Sequence, residues 1–454
     1  MFTTQQISKI TRGHCLQPGR TLKIRGISID SRTIKKGHVY IAVKGQRLNG
    51  HDFIAQAARR GAVAVIVSRK VACPEGVAVI MVKNTTKALG QIAAWHRKQF
   101  AIPVIAVTGS AGKTTTKEMI AAVLGKRYKV LKNFKTENNQ FGVPLTLLKL
   151  KSSHDMAVLE LGTNQRGDIR WLARVTAPVT AVFTNIGDSH LEGLKNRRGV
   201  FTEKSRLLCY LPPNGVIIYN GDDAFLKKLS RRHARQKIIR YGCEEKADVV
   251  ARNVSSAGGR KLEFYVHRQK FTVHSPARHN VRNALAAITC GTHYKVSYND
   301  IRAALARFRF AGSRQEFCRT GRYHFIDDSY NANPLSLASA IETLDALRVT
   351  GKRIVVCGDM LELGKRARAL HRNAGRMIAG SQTDIVLTVG KYARSISEAV
   401  NGAGKAARAF HCADLKTLHQ KLKHFCVPGD VILVKGSRGA HLERTVAYLK
   451  KNFK

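Results

Sequence analysis

The sequence predicts an α/β protein of three units, each built on a largely parallel sheet covered by helices. Three observations carry this reading. The chain has 454 residues, more than one compact core accommodates, and that length suggests about three units. Short runs rich in Val and Ile alternate with helical spacing in every third of the chain. One such run, Pro103-Val-Ile-Ala-Val-Thr108, opens directly into Gly109-Ser-Ala-Gly-Lys-Thr-Thr-Thr116, a glycine turn with one lysine and a threonine-rich helix start. The units are expected at residues 1–84, 85–312 and 313–454.

Taken in order, residues 37–43, 62–67 and 77–82 read as strands of the first unit, with a helix over 53–60. A helix over 86–100 leads to the second unit, whose strands fall at 103–108, 156–161, 179–184 and 215–219. Residues 238–275 hold short strands and 280–292 a helix. The third unit repeats the rhythm with strands at 353–357, 384–389 and 430–434. Such alternation puts ligands at the carboxyl ends of the strands. No internal repeat or low-complexity stretch interrupts it.

Composition narrows the class. A hydrophobic fraction of 44% allows substantial cores, and no apolar run reaches the length of about 18 residues that a membrane span requires. The first residues include Lys9 and Arg12 and lack an apolar stretch, which argues against a secretion signal. Nine scattered cysteines without a Cys-x-x-Cys pair fit a reduced, cytoplasmic protein and no zinc site. Lys and Arg number 78 against 30 Asp and Glu, a formal charge of +48. The excess is spread along the chain, with local clusters at Arg231, Arg232 and Arg235 and at Lys365, Arg366 and Arg368. There is no basic tail, zinc-finger spacing or aromatic RNA-binding pattern. A solvated basic surface that speeds capture of small anions is expected, with no specific nucleic-acid partner.

The glycine turn is the strongest chemical signal. Gly109 and Gly112 let backbone N–H groups face an anion, with Ser110 and Ala111 between them, while Lys113 reaches the β- and γ-phosphates and the Thr114 hydroxyl meets Mg²⁺. The loop is a shortened G-x-x-G-K-T, since the longer common form requires glycine where Val107 stands. Glu160, leaving an apolar strand beside this loop, is a Mg²⁺ candidate. His190 follows another strand and is either a surface residue or, at the same edge as Lys113 and Glu160, a catalytic or metal-binding one. Asn280 and Asn283 either cap a helix or offer amides to a base. The run Asp327-Asp-Ser-Tyr-Asn-Ala-Asn333 carries more hydrogen-bonding groups than an ordinary turn uses, which points to ligand recognition.

Together these residues resemble the Mur ligases, ATP-dependent amide-forming enzymes of peptidoglycan precursor synthesis. The resemblance covers nearly the whole chain. In the first unit it rests on Asp30-Ser-Arg32 and Asn49-Gly-His-Asp-Phe53. In the second it rests on the loop ending at Thr115, Asn138-Asn-Gln-Phe-Gly142, Glu160-Leu-Gly-Thr-Asn164 and His279-Asn-Val-Arg-Asn283. In the third it rests on Asp328-Ser-Tyr-Asn-Ala-Asn333, Gly358-Asp-Met-Leu-Glu-Leu-Gly364 and Lys435-Gly-Ser-Arg438. The tyrosine-asparagine segment and the Gly358 to Gly364 motif are similar to members that add D-alanyl-D-alanine.

The resemblance implies a UDP-binding first domain, a central P-loop ATPase-type domain and a Rossmann-like ligase domain that closes over the site. It implies that ATP phosphorylates the terminal carboxylate of UDP-N-acetylmuramoyl-tripeptide and that the D-alanyl-D-alanine amine attacks the acyl phosphate. It assigns Gly109, Ser110, Ala111, Gly112, Lys113, Thr114 and Thr115 to the phosphates, and Thr114, Glu160 and His190 to Mg²⁺. Lys204 aligns with a lysine the family carries as a carbamate, which would be an anionic oxygen ligand where an ammonium would repel the ion. Asn283 would meet adenine, Arg314 and Asp328 the nucleotide, and Tyr330, Asn331 and Asn333 the dipeptide or nucleotide edge. Ser31 and Arg32 would meet the UDP portion, and Asn138 and Asn139 the muramoyl peptide. A cytoplasmic monomer is expected.

The chain departs from the family at Lys135-Thr136, where Gly-Asn is frequent, at Ala277, where glycine is, and around Lys204. Two other readings stay open: an amide ligase with a different acceptor, of Mur or folate-polyglutamate type, and a nucleic-acid-dependent P-loop ATPase.

Overall fold

A computed structural model describes residues 2–18, 24–45, 48–229, 236–244, 246–257, 261–310, 312–404 and 406–453. The basic cluster at Arg231, Arg232 and Arg235 lies outside the described residues.

Three sheets follow one another along the chain. The first has five strands in the spatial order His14–Gln17, Ala78–Met81, Ala62–Val67, His38–Ile41, Gly26–Ser28, all parallel except the first. The helix Thr85–Lys98 then packs Leu89 and Ile92 into this core, and Phe141, Leu145 and Leu148 of the second unit cover the same cluster.

The second sheet is wholly parallel, with seven strands ordered Val249–Val250, Lys237–Gly242, Val216–Asn220, Thr180–Phe183, Val104–Thr108, Met156–Glu160, Val130–Lys132. Every residue of Val104–Thr108, Met156–Glu160 and Thr180–Phe183 is buried, which is why these strands read as unbroken apolar runs: helices cover both faces. From Val104–Thr108 the chain builds strands first on one side and then on the other. That reversal opens a crevice at the carboxyl edge, where Gly109, Glu160 and Thr184 emerge.

The third sheet has six strands ordered Glu316–Thr320, Tyr323–Asp328, Val431–Lys435, Arg353–Gly358, Ile385–Val389, Arg408–Cys412, parallel except for the leading hairpin. A single apolar cluster runs from Phe183, Leu191 and Leu194 of the second unit to Leu337, Leu363 and Leu370 of the third. The two sheets therefore share a core and face each other across the crevice.

The short strands expected over 238–275 divide between two sheets. Arg252–Ala257, Lys261–Val266 and Gln269–Val273 form a separate antiparallel sheet. His267 and Arg268, at φ 46° and 63°, make a tight turn whose twist matches an antiparallel hairpin.

Candidate active site

The glycine turn is held from the neighbouring strand end. Ser110 N–H donates to the Asn185 carbonyl at 2.9 Å, Ala111 N–H to Asn185 Oδ1 at 2.8 Å, and the Thr184 hydroxyl to the Ala111 carbonyl at 2.6 Å. These contacts need glycine. A Cβ on Gly109 would lie 1.8 Å from Thr184 Oγ1, and Gly112, at φ 77°, would put one 2.7 Å from Asn283 Oδ1. The helix Lys113–Leu124 that follows has no side-chain cap, so its first N–H groups and its dipole face the crevice. Lys113 folds back to donate from Nζ to the Gly109 carbonyl at 2.9 Å, and desolvation lowers the basicity of its ammonium.

Glu160 is 1% exposed, with both oxygens held: Oε2 accepts from the Thr114 hydroxyl and Oε1 from Asn138 Nδ2, each at 2.6 Å. Its backbone is clamped by Asn133, whose Oδ1 accepts from Glu160 N–H at 2.9 Å and whose Nδ2 donates to the Glu160 carbonyl at 3.1 Å. Lys117, one helical turn beyond Lys113 and fully buried, ties the helix to this loop through the Asn133 and Lys135 carbonyls at 2.6 and 3.1 Å.

His190 shares the cavity with Lys113 and Glu160. Its Nδ1 lies 2.5 Å from Oε2 of Glu362, which comes from the third unit. Lys204 is no surface lysine: it is 0% exposed, its Nζ has no hydrogen-bond partner, and burial, then the Lys113 charge, push it well below its ordinary basicity. It is not among the residues that line the cavity, yet the charges of Lys113, Glu203 and Glu160 act on it.

The third unit supplies the opposite wall. The Tyr330 hydroxyl pairs with Thr136 of the second unit, and its ring lies 4.2 Å from the Arg314 guanidinium. Asp328 pairs with Lys435 at 2.6 Å, and Lys435 also donates to the Asn331 carbonyl at 3.0 Å. Asn333 caps the helix Pro334–Asp345 and reaches the Ser110 carbonyl at 3.3 Å. On the remaining side, Asn280 and Asn283 do not cap their helix. Asn283 Nδ2 donates to Asn280 Oδ1 at 2.8 Å, and Asn283 Oδ1 accepts from the Thr116 hydroxyl at 3.1 Å, behind the phosphate turn. His279 beside them is driven down to about 4 by burial, then by the Lys435 charge.

Most of the residues singled out in the sequence therefore line one cavity of about 670 Å³. Gly109, Lys204, Ser31, Arg32 and Asn139 lie outside its lining. The Ser31 hydroxyl donates to Gln56 Oε1 at 2.6 Å, and Arg32 pairs with Asp30 at 2.8 Å on the exposed side of the first unit. Asn139 spends its Oδ1 on the N–H groups of Phe141 and Gly142, at 3.1 and 3.0 Å, a turn role that sequence alone does not reveal. Asn133, Lys117 and Glu362 were not singled out individually, although the Gly358 to Gly364 motif contained the last.

Family models match three successive stretches. They are described as Mur ligase family, catalytic domain, over residues 23–97; Mur ligase middle domain, over 107–291; and Mur ligase, glutamate ligase domain, over 313–438. A UDP-N-acetylmuramoyl-tripeptide D-alanyl-D-alanine ligase of Bacillus subtilis (strain 168) is 36% identical over 448 residues, which cover 98% of this chain and 97% of the relative. The chain belongs to the Mur ligase family. Among solved Mur ligases, a MurF from Acinetobacter baumannii has a TM-score of 0.91 at 32% identity, covering 99% of both chains. The MurF ligase from Thermotoga maritima in complex with ADP has a TM-score of 0.82 at 28% identity, covering 94% of this chain and 97% of its own.

The donor set of this Mur ligase fits Mg²⁺. Glu160 and Thr114 offer hard oxygens, and among the described residues no cluster of three His, Cys, Asp or Glu encloses an ion. An ion that keeps its waters and takes phosphate oxygens needs no such cage.

Proposed function

We propose that this chain joins D-alanyl-D-alanine to UDP-N-acetylmuramoyl-tripeptide, using ATP to make an acyl phosphate. The observation that carries this is the meeting of Lys113, Glu160 and His190 in one cavity whose far wall, with Tyr330 and Asn333, comes from the third unit. A carboxylate is a poor electrophile. Transfer of the γ-phosphoryl group to its oxygen, with departure of ADP, makes phosphate the leaving group. The dipeptide amine then forms the C–N bond, a proton is lost, and the C–O bond to phosphate breaks.

Residues 1–84 hold the UDP portion through Ser31 and Arg32, residues 85–312 hold ATP, and residues 313–454 bring the acceptor. The turn from Gly109 to Thr115 binds the phosphates, with Lys113 against the charge that builds up during transfer. Asn283, Arg314 and Asp328 hold the nucleotide; Asn138 faces the muramoyl peptide while Asn139, expected there too, shapes the turn beside it, and Tyr330, Asn331 and Asn333 meet the dipeptide. Thr114, Glu160 and His190 would hold Mg²⁺, which supplies neutralisation of the phosphate oxygens when bound. The unpartnered Lys204 Nζ supports a carbamate there: an amine kept neutral by burial is nucleophilic toward CO₂, and the product places anionic oxygens where Nζ lacks a partner. No described helix is long and apolar enough to cross a membrane, and we place the enzyme in the cytoplasm as a monomer.

The test is product formation. Purified protein with ATP, Mg²⁺, UDP-N-acetylmuramoyl-tripeptide and D-alanyl-D-alanine is expected to release ADP and phosphate in step with pentapeptide; absence of pentapeptide refutes the proposal. Lys113→Ala is expected to lower turnover by roughly a thousandfold with the circular dichroism spectrum retained.

A further inference from the structure

In the reaction just proposed, on which this inference rests, the acceptor dipeptide has a terminal carboxylate that takes no part in bond formation. Burying that charge requires a cation. Six cationic side chains line the cavity: Lys113, Arg197, Arg282, Arg314, Lys435 and Arg438. Four are committed. Lys113 folds onto the phosphate turn, Arg197 pairs with Asp188 at 3.1 Å, Arg282 with Asp222 at 2.7 Å, and Lys435 with Asp328 at 2.6 Å.

The other two guanidinium groups flank Tyr330, Arg314 at 4.2 Å and Arg438 at 5.5 Å from the ring centre. Neither has a hydrogen bond or ion pair among the described residues. Arg314 lies near enough to Lys113 and Asp328 for its charge to act on both, which assigns it to the phosphate end. Arg438 is left over.

The surroundings of Arg438 add a second, independent feature. Arg438 starts the short turn Arg438–Ala440, with two residues between it and the end of the strand Val431–Lys435. Leu361 lines the same cavity while remaining 41% exposed. Its N–H donates to Ser437 Oγ at 2.9 Å, and Ser437 N–H donates to the Asp359 carbonyl at 2.9 Å, so the two loops are fixed to each other. A Cβ on Gly439 would come 2.7 Å from Leu361 Cδ1, so the bare glycine is what lets them close. A planar guanidinium next to an apolar side chain matches an α-carboxylate next to a methyl group.

We propose that Arg438 binds the free carboxylate of the incoming dipeptide and that Leu361 and Gly439 seat its terminal methyl. The acceptor is thereby selected as a free acid, and its amine is aimed back toward Lys113 and Glu160.

The test compares D-alanyl-D-alanine with its carboxamide as acceptors for the full-length protein. Wild type is expected to favour the free acid by about ten- to a hundredfold in kcat/KM, the range set by one charge-assisted hydrogen-bonded pair. Arg438→Ala is expected to bring that ratio to about one through KM for the dipeptide, with KM for ATP unmoved, and Arg438→Lys to keep part of the preference. Wild-type pentapeptide formation at equal efficiency from both acceptors overturns the carboxylate site and leaves the ligase reading standing. So does an unchanged ratio in Arg438→Ala, or an effect confined to KM for ATP. No pentapeptide from either acceptor overturns both. If Arg438→Ala does not fold, the wild-type ratio and the lysine variant decide.

Discussion

Glu362 reaches across from the third unit to His190, and the pair shows how one contact assigns a proton. Burial pushes His190 below its ordinary value despite the carboxylate beside it, while the hydrogen bond from His190 holds Glu362 low. The imidazole is therefore neutral, with its proton on Nδ1 donated to an ionised Glu362, and the Nε2 lone pair stays free for an ion or a substrate. Both residues adopt left-handed backbone, φ 53° and 63°, a strain that persists only where surrounding contacts impose it. Here the Glu192 N–H donates to the Glu362 carbonyl at 3.0 Å and locks the two loops together. Glu362→Gln removes the charge that fixes the ring. We expect turnover to fall by about ten- to a hundredfold and half-maximal activity to require more Mg²⁺, with the melting profile little changed. Unaltered Mg²⁺ dependence would rule out this positioning role.

At the scale of elements, the loop between the strand Val130–Lys132 and the helix Gly142–Leu147 carries Asn133, Thr136 and Asn138 to the site, yet it contains a strained residue. Lys135 sits at φ 46°, a backbone conformation that glycine adopts most readily, and its carbonyl receives Lys117 Nζ at 3.1 Å. Lys135→Gly keeps that carbonyl and relieves a left-handed cost of about 1 kcal/mol, part of which returns as extra freedom of the unfolded chain. A small rise in the urea midpoint of the second unit is expected; a fall would show that the lysine side chain stabilises the turn. The same loop marks how far the sequence could be read. The strand, glycine turn and helix at residues 103–116 were legible because apolar runs and glycine spacing are local signals. The Glu362 contact was not, since its partner lies 172 positions away and nothing near either residue announces the other. The burial of Lys204 could not be read locally either, because packing alone decides it, and only the family resemblance marked the residue. The strand His14–Gln17, mostly exposed at a sheet edge, lacks the alternation that would reveal it, and the 267–268 turn carries no Asn-Gly signal. The domain limits and site roles rest on this mixture of local pattern and family resemblance.

Across the whole molecule, buried histidines contribute an acid response of their own. Burial comes first among the causes that depress His51, His96, His190, His279 and His371, with His279 at about 4. Each binds its proton more readily in the unfolded chain, so their contribution to stability is complete above about pH 6.5 and drains away as pH falls toward 4. Added positive charge on a chain already at +48 works in the same direction. The denaturant midpoint is expected to drop steeply between pH 6.5 and 4.5 by roughly the histidine titration window; a flat profile there would show that these rings are solvated. The apolar cluster shared by the second and third units carries a different consequence, one of kinetics. Lobes that adhere through greasy contact part at a pace indifferent to electrolyte, whereas anionic reactants drawn in by a cationic surface arrive more slowly as ions shield it. Raising potassium chloride should thus depress the second-order capture rate while sparing the departure of finished product, a divergence that stopped-flow traces would resolve.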